Sequence, residues 1–169
     1  TDKLGGSNLH NFNAFTPTIA NIRPTSRGEI FITSGDSRDD PKIKMNYLST
    51  TEDREVAATS IRFIRKIIFE SETFKKYHPE EFRPGLQFQN DEEIVKATSN
   101  YAQTIFHPVG TCKMGNDDTS VVSDKLKIHG IESLRVVDAS IMPNITSGNT
   151  NAPTMMIAEK AADMIILDQ

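Results

Sequence analysis

Short apolar stretches broken by turn residues fill the first third of the chain. Residues 12–22 are apolar-rich without a helical period, Pro24 and Gly28 punctuate the next segment, and residues 29–33 form a second apolar piece. Ser34-Gly35-Asp36-Ser37 is a turn cluster, after which residues 42–48 alternate polar and apolar as a half-buried strand does. This pattern predicts three antiparallel strands joined by turns.

The period then changes. Ser49-Thr50-Thr51-Glu52 has the spacing of a capping box, in which hydroxyl and carboxylate satisfy each other's orphan amide donors. A helix is expected from there to about Phe69, with Ala57, Ile61, Ile64 and Ile68 as its buried stripe. Short helical pieces are expected over 70–77 and 79–82, before Pro84-Gly85. Asn90-Asp91-Glu92-Glu93 opens another amphipathic helix, with Ile94, Ala97 and Tyr101 facing inward. Beyond Ile105, glycines and small polar residues space short apolar pieces, one of which, residues 134–137, reads as a strand ending at Asp138. Pro153 at the first helical position predicts a last helix to Leu167, apolar on most of its circumference and therefore buried.

Composition narrows the classes. A chain of 169 residues with 37% hydrophobic and 25% charged residues suits a globular protein with a core of its own. With 19 basic and 23 acidic residues, net charge −4 and no run of five like charges, it lacks the footprint of a nucleic-acid binder. One cysteine, Cys112, allows neither an internal disulfide nor a thiolate zinc cluster, and a cytoplasmic setting is expected. The chain opens on Thr1 without an apolar leader, and its apolar runs are too short for a membrane span. No metal site is expected, because no His-Glu-x-x-His pattern or carboxylate-rich loop occurs.

Three stretches could carry chemistry. His107 precedes Pro108, which pushes it to an extended backbone, and Gly110 allows a tight bend. Imidazoles gain and lose protons near neutral pH and so suit an alcohol's proton. A buried histidine satisfied by a backbone carbonyl is the plainer alternative. Residues 144–154 feed a polar segment into a helix N-terminus, where unpaired amides and partial positive charge favour an anion or an electron-rich carbonyl. Asn151 there could equally be a helix cap. Asp138 and Ala139 follow an apolar strand, where ligands gather in nucleotide-binding sheets, or Asp138 simply caps the next short helix. His10, His78 and His129 carry no functional expectation; His129 precedes Gly130 in a hairpin turn.

His107-Pro108-Val109-Gly110-Thr111-Cys112-Lys113-Met114-Gly115, then Leu134-Arg135-Val136-Val137-Asp138-Ala139-Ser140, then Thr146-Ser147-Gly148-Asn149-Thr150-Asn151-Ala152-Pro153-Thr154, closing on Ile157-Ala158-Glu159-Lys160-Ala161-Ala162-Asp163, together resemble the C-terminal signature of the glucose–methanol–choline (GMC) oxidoreductases. Arg23-Pro24-Thr25-Ser26-Arg27-Gly28 and Asn46-Tyr47-Leu48 resemble that family's substrate-binding sheet. Within the family the chain is most similar to bacterial choline-dehydrogenase-like and other FAD-dependent alcohol dehydrogenases.

The resemblance implies an α+β fold: an antiparallel sheet covered by helices over 12–104, after a linker over 1–11. The segment 105–169 would then carry the catalytic loop with the last strand and helix of an FAD-binding lobe. It implies FAD as cofactor and hydride transfer to flavin from a primary alcohol, choline-like first and aliphatic or polyol next. His107 would be catalytic base or hydrogen-bond partner of the substrate hydroxyl, and Asn151 the second catalytic residue. Asp138 and Ala139 would lie near the FAD diphosphate and ribityl chain. Asn151, Pro153 and Thr154 would face the flavin, where a helix terminus stabilises negative charge. Implied partners are a small-molecule alcohol and a quinone or other electron acceptor, and the full enzyme could sit at the inner-membrane periphery.

The family's G-x-G-x-x-G fingerprint occurs nowhere in the chain, so the sequence reads as the C-terminal third of a longer enzyme, inactive alone. A redox-silent lyase and a non-catalytic binding domain are the rival readings. Flavin bleaching on anaerobic addition of an alcohol separates a dehydrogenase from both.

Overall fold

The computed structural model describes residues 10–168, so the linker expected over 1–11 lies almost entirely outside the described residues. The described chain divides into two units. One runs to Asn21 and resumes over Leu48–Gln103; the other comprises Ile22–Tyr47 and the residues from Thr104 onward.

The first unit is helical. Helix α1, Thr51–Glu70, begins at Thr50, whose side chain accepts from the amide of Asp53. The cap therefore sits one residue later than the Ser49–Glu52 pairing predicts. Asp53 is buried although charged, and Asn21 donates Nδ2 to its Oδ1 at 3.2 Å. Ala57, Ile61, Ile64 and Ile68 are half-buried, as an amphipathic stripe should be. A single turn, α2 (Glu72–Lys75), comes after Ser71, while residues 79–82 stay irregular. Helix α3, Asp91–Ser99, starts where Asn90 caps the amide of Glu93, and it buries Ile94 and Ala97. Tyr101 lies past its end and is exposed.

The expected first strand does not form. Pro17 removes a ladder donor from residues 12–22, and Phe12 and Phe15 instead meet the rings of Phe82 and Phe74. The unit's strongest polar anchor is Arg65, which holds the Glu81 carboxylate through Nε and Nη2 at 2.8 and 2.9 Å. The same guanidinium donates to the carbonyls of Phe88 and Gly85.

The second unit holds the sheet. Strands β1 (Glu29–Phe31) and β2 (Lys42–Lys44) pair antiparallel, Ile30 opposite Ile43. All six strand residues are exposed. The strands fall in one unit with the C-terminal segment. A long-range bond contributes: Arg27 Nη2 donates to Asn144 Oδ1 at 2.6 Å. Gly28 is required by close approach, since a Cβ there would lie 2.3 Å from the Lys44 carbonyl oxygen.

The core of this unit is Val122, Leu126, Ile141, Met142, Ile157 and Ala161. Residues 112–137 wrap it through isolated bridges, Met114 with Val122, Val122 with Ile128 and Lys127 with Arg135. Residues 134–137 do not form the strand the sequence predicts: among the described residues their pairing is a single bridge at Arg135, flanked by the Ile128 amide on the Leu134 carbonyl and the Val136 amide on the Leu126 carbonyl. The hairpin turn at His129-Gly130 does form, with the Ile128 amide donating to the Leu134 carbonyl. Helix α4, Asn151–Leu167, closes the unit. It begins two residues before Pro153, and only Ile157 and Ala161 are buried. Met155, Met156, Ile166 and Leu167 are exposed, Leu167 by 84%, so the burial predicted from its apolar circumference is met on one face only. Asp168, its C-cap, is bonded by Lys127 and Arg135, and the Lys127 bond foremost holds its carboxyl below the usual range.

Candidate active site

The segment carrying His107 is fixed to the core by backbone bonds. The Cys112 amide donates to the Ser140 carbonyl at 3.0 Å and the Met114 amide to the Ile141 carbonyl at 2.8 Å. Gly110 takes φ +89, the bend its sequence position suggests, with Met142 O only 3.3 Å from where a Cβ would stand. Phe106, immediately before His107, is itself left-handed at φ 62, and its amide is held by Thr104 Oγ1. His107 therefore projects, half-buried, from a constrained backbone.

Its ring meets the start of α4. His107 Nδ1 lies 2.9 Å from Thr150 Oγ1, and the Thr150 backbone N–H donates to the same nitrogen at 3.5 Å. Thr150 is the N-cap of α4 and only 7% exposed, yet its hydroxyl makes no bond to the helix. Among the described residues Nε2 of His107 has no partner.

Asn151 is the first residue of α4 and exposed, its Nδ2 resting against Met155 Sδ at 3.8 Å. It is not the cap; Thr150 is. Pro153 carries no N–H, and Thr154 returns both its amide and its hydroxyl to the Thr150 carbonyl, at 3.1 and 2.6 Å. The amides of Asn151 and Ala152 find no acceptor among the described residues, and no acidic residue sits in the first turn. Two free donors at the positive end of a helix suit an electron-rich oxygen.

Asp138 caps a 3-10 turn over Ala139–Ile141: its Oδ1 accepts the Ser140 amide at 2.8 Å and also the Ser140 hydroxyl. Ala139 packs against the core. The local alternative weighed for Asp138, capping, is what its bonds show. His129 gives Nε2 to the Gly115 carbonyl at 3.0 Å, a structural contact, and Cys112 is a half-buried free thiol. Among the described residues no cluster of three or more His, Cys, Asp or Glu could hold a metal, and no helix is long and apolar enough to cross a membrane.

The family resemblance implies that His107 and Asn151 lie beside one substrate oxygen. The structure brings His107 to Thr150, the residue before Asn151, with no bond between His107 and Asn151 among the described residues. Thr150 is the residue sequence reasoning passed over. The available signal, a threonine one residue ahead of a predicted helix, reads locally as an ordinary cap.

Residues 24–158, which include this whole arrangement, match the family model described as GMC oxidoreductase. The chain belongs to the GMC oxidoreductase family. It is 47% identical over 160 residues to the oxygen-dependent choline dehydrogenase of Proteus mirabilis (strain HI4320), a match covering 95% of this chain and 29% of that protein. It is also 47% identical over 152 residues to an alcohol dehydrogenase [acceptor] of Pseudomonas putida, covering 90% of this chain and 27% of that one. Among solved structures it resembles a formate oxidase of Aspergillus oryzae RIB40, studied for modification of its FAD, with TM-score 0.79 and 34% identity over 88% of this chain and 26% of that chain. The chain thus spans less than a third of the curated relatives' length.

Proposed function

We propose that this GMC chain forms the C-terminal catalytic part of an FAD-dependent oxidoreductase that oxidises a primary alcohol to an aldehyde. The observation that carries this reading is the convergence, within one unit, of the His107 ring and the donor-rich N-terminus of α4 next to Asn151. His107 meets the substrate hydroxyl through its open Nε2, as base or hydrogen-bond partner. Asn151, exposed and free of any capping duty, offers its amide to the same oxygen. Both groups stand on constrained backbone, and a positioned acid–base or hydrogen-bonding group needs that constraint.

FAD, when bound, supplies the hydride acceptor. The residues of this chain suited to hold it are the start of α4, at Asn151, Pro153 and Thr154, and the segment at Asp138 and Ala139. The two unpaired amides of that helix terminus fit an electron-rich ring carbonyl, and the absence of an acid from the first turn leaves their positive field intact. The Asp138 carboxylate accepts at one oxygen from Ser140, which leaves its other oxygen open to a sugar hydroxyl.

A choline-like alcohol is the first substrate, supported by the name of the P. mirabilis relative; the equally identical P. putida relative, named only as an alcohol dehydrogenase, leaves an aliphatic or polyol alcohol as the second. Electrons pass on to a quinone or another acceptor, in the cytoplasm or at the inner-membrane periphery. The test is anaerobic: the full-length enzyme is mixed with choline, then with short aliphatic alcohols, while flavin absorbance is followed. Bleaching by either supports the reading and ranks the substrates. A flavin left oxidised by all of them would sink it and favour a redox-silent role.

A further inference from the structure

Thr150 occupies a helix N-cap and does not cap. Thr50, Ser71 and Asn90 each start a helix from extended backbone, and each accepts a helix amide with its side chain. Thr150 is instead already helical, at φ −84 and ψ −2, and makes no such bond. Capping normally goes with the extended backbone, which brings the side-chain oxygen to the amides of the first turn. The Thr150 hydroxyl, on a residue only 7% exposed, lies 2.9 Å from His107 Nδ1, 43 residues away in sequence. The threonine is itself held: its carbonyl receives both the amide and the hydroxyl of Thr154, at 3.1 and 2.6 Å. A β-branched side chain has few χ1 states, so an anchored backbone fixes where its hydroxyl points.

We infer that Thr150 is a positioning residue for His107: its hydroxyl tethers the ring at Nδ1, so that Nε2 is the nitrogen turned to the substrate oxygen. The assignment does not depend on where the ring proton sits. A hydroxyl donates to a bare ring nitrogen and accepts from a protonated one, so the tether holds with either neutral ring and with the doubly protonated one. It therefore serves His107 equally as hydrogen-bond partner and as base. When Nε2 takes the alcohol's proton, the N–H at Nδ1 has the Thr150 oxygen to donate to. Valine at position 150 keeps the shape of threonine and loses the tether, which leaves the imidazole free to turn about its broad χ2 torsion. The inference rests on the reading of His107 as the residue that meets the alcohol.

The test is a double-mutant cycle in the full-length enzyme, read as anaerobic flavin reduction at saturating alcohol. Thr150→Val should slow reduction roughly ten- to hundredfold, since about 1 Å of misplacement at a reacting group can cost 10²-fold. Its flavin content should stay at the wild-type level. Thr150→Ser, which keeps the hydroxyl, should restore most of the rate. In a His107→Ala background Thr150→Val should slow the reaction no further, because no ring is left to position. Should Thr150→Val fail to fold or to hold flavin, Thr150→Ala is read in its place. The inference is overturned by a wild-type rate in Thr150→Val, by a Thr150→Ser variant as slow as Thr150→Val, or by a Thr150→Val loss that recurs undiminished on top of His107→Ala. A wild-type rate in His107→Ala alone is a separate outcome: it removes the reading of His107, and this inference with it.

Discussion

His107 Nδ1 and Thr150 Oγ1 lie 2.9 Å apart and join the apolar-flanked loop before Pro108 to the first residues of the last helix. Neither residue is placed by regular secondary structure alone. The loop is held by backbone bonds to Ser140 and Ile141, and the helix by Ile157 and Ala161 in the core.

Asn151 tests whether its role is chemical or structural. Because Thr150 is the N-cap and Asn151 the first exposed helical residue, Asn151→Ala should leave thermal stability within about 0.5 kcal/mol of wild type, as for surface substitutions. In the full-length enzyme the same change should slow alcohol oxidation by about two- to tenfold, the size of one neutral hydrogen bond at about 0.5–1.5 kcal/mol. A melt combined with turnover per folded enzyme separates the two. Lost stability with unchanged turnover would mean that Asn151 is structural.

The Arg65–Glu81 pair should carry the helical unit. Both side chains are nearly buried, 12% and 10% exposed, and Glu81 also accepts the Gly85 amide. Removing one partner leaves a desolvated charge, so Glu81→Ala should cost about 3–5 kcal/mol in urea denaturation monitored by circular dichroism. A loss below about 1 kcal/mol, the usual worth of an exposed pair, would show that the pair is solvated in solution.

Gly28 should tolerate no side chain. Its missing Cβ would meet the carbonyl oxygens of Lys44 and Met45 at 2.3 and 2.7 Å, and backbone oxygens cannot swing aside as a side-chain tip can. Gly28→Ala should therefore loosen the β1–β2 pairing, at an overpacking cost of about 1–3 kcal/mol. Amide exchange at Ile30 and Ile43 reads it directly; unchanged protection there would refute the close approach.

Acid should act on the turn at Asp117. Hydrogen bonds from the Thr119 side chain first, then from the Lys113 ammonium, the Thr119 amide and the Ser120 hydroxyl, hold its carboxyl well below the ordinary 3.8. Because the folded value is depressed, this contribution is whole above the ordinary value. It is lost as the pH falls through the lower, folded one. Exchange at the Thr119 amide should therefore stay slow down to the ordinary carboxylate range and accelerate only below it. Asp117→Asn should abolish that dependence, and acceleration already near neutral pH would contradict it.

Local pattern made the helices legible and left the long-range choices hidden. The stripe of α1 and the cap of α3 come from spacing and from one side chain reaching its neighbour's amide. Asp53 shows the limit: it is buried and bonded by Asn21, 32 residues upstream, a contact that no periodicity reveals. For α4 the apolar residues were plain, but burial also needs something to cover them, and among the described residues only the Ile157 and Ala161 face is covered. Residues 12–22 had the composition of a strand but pair with nothing among the described residues, and residues 134–137 pair only at a single bridge. In the site, His107 and the polar run before Pro153 stood out by residue type, whereas Thr150 was hidden by looking like a cap.

The central claim, that His107 is the residue that meets the alcohol, is tested most directly by anaerobic flavin reduction in the full-length enzyme with and without its imidazole. His107→Ala should retain flavin at the wild-type level and reduce it about 10²–10⁴-fold more slowly at saturating alcohol, the range of one positioned acid–base group. Wild-type reduction rates in that variant, with reduction confirmed as the slow step, would contradict the assignment.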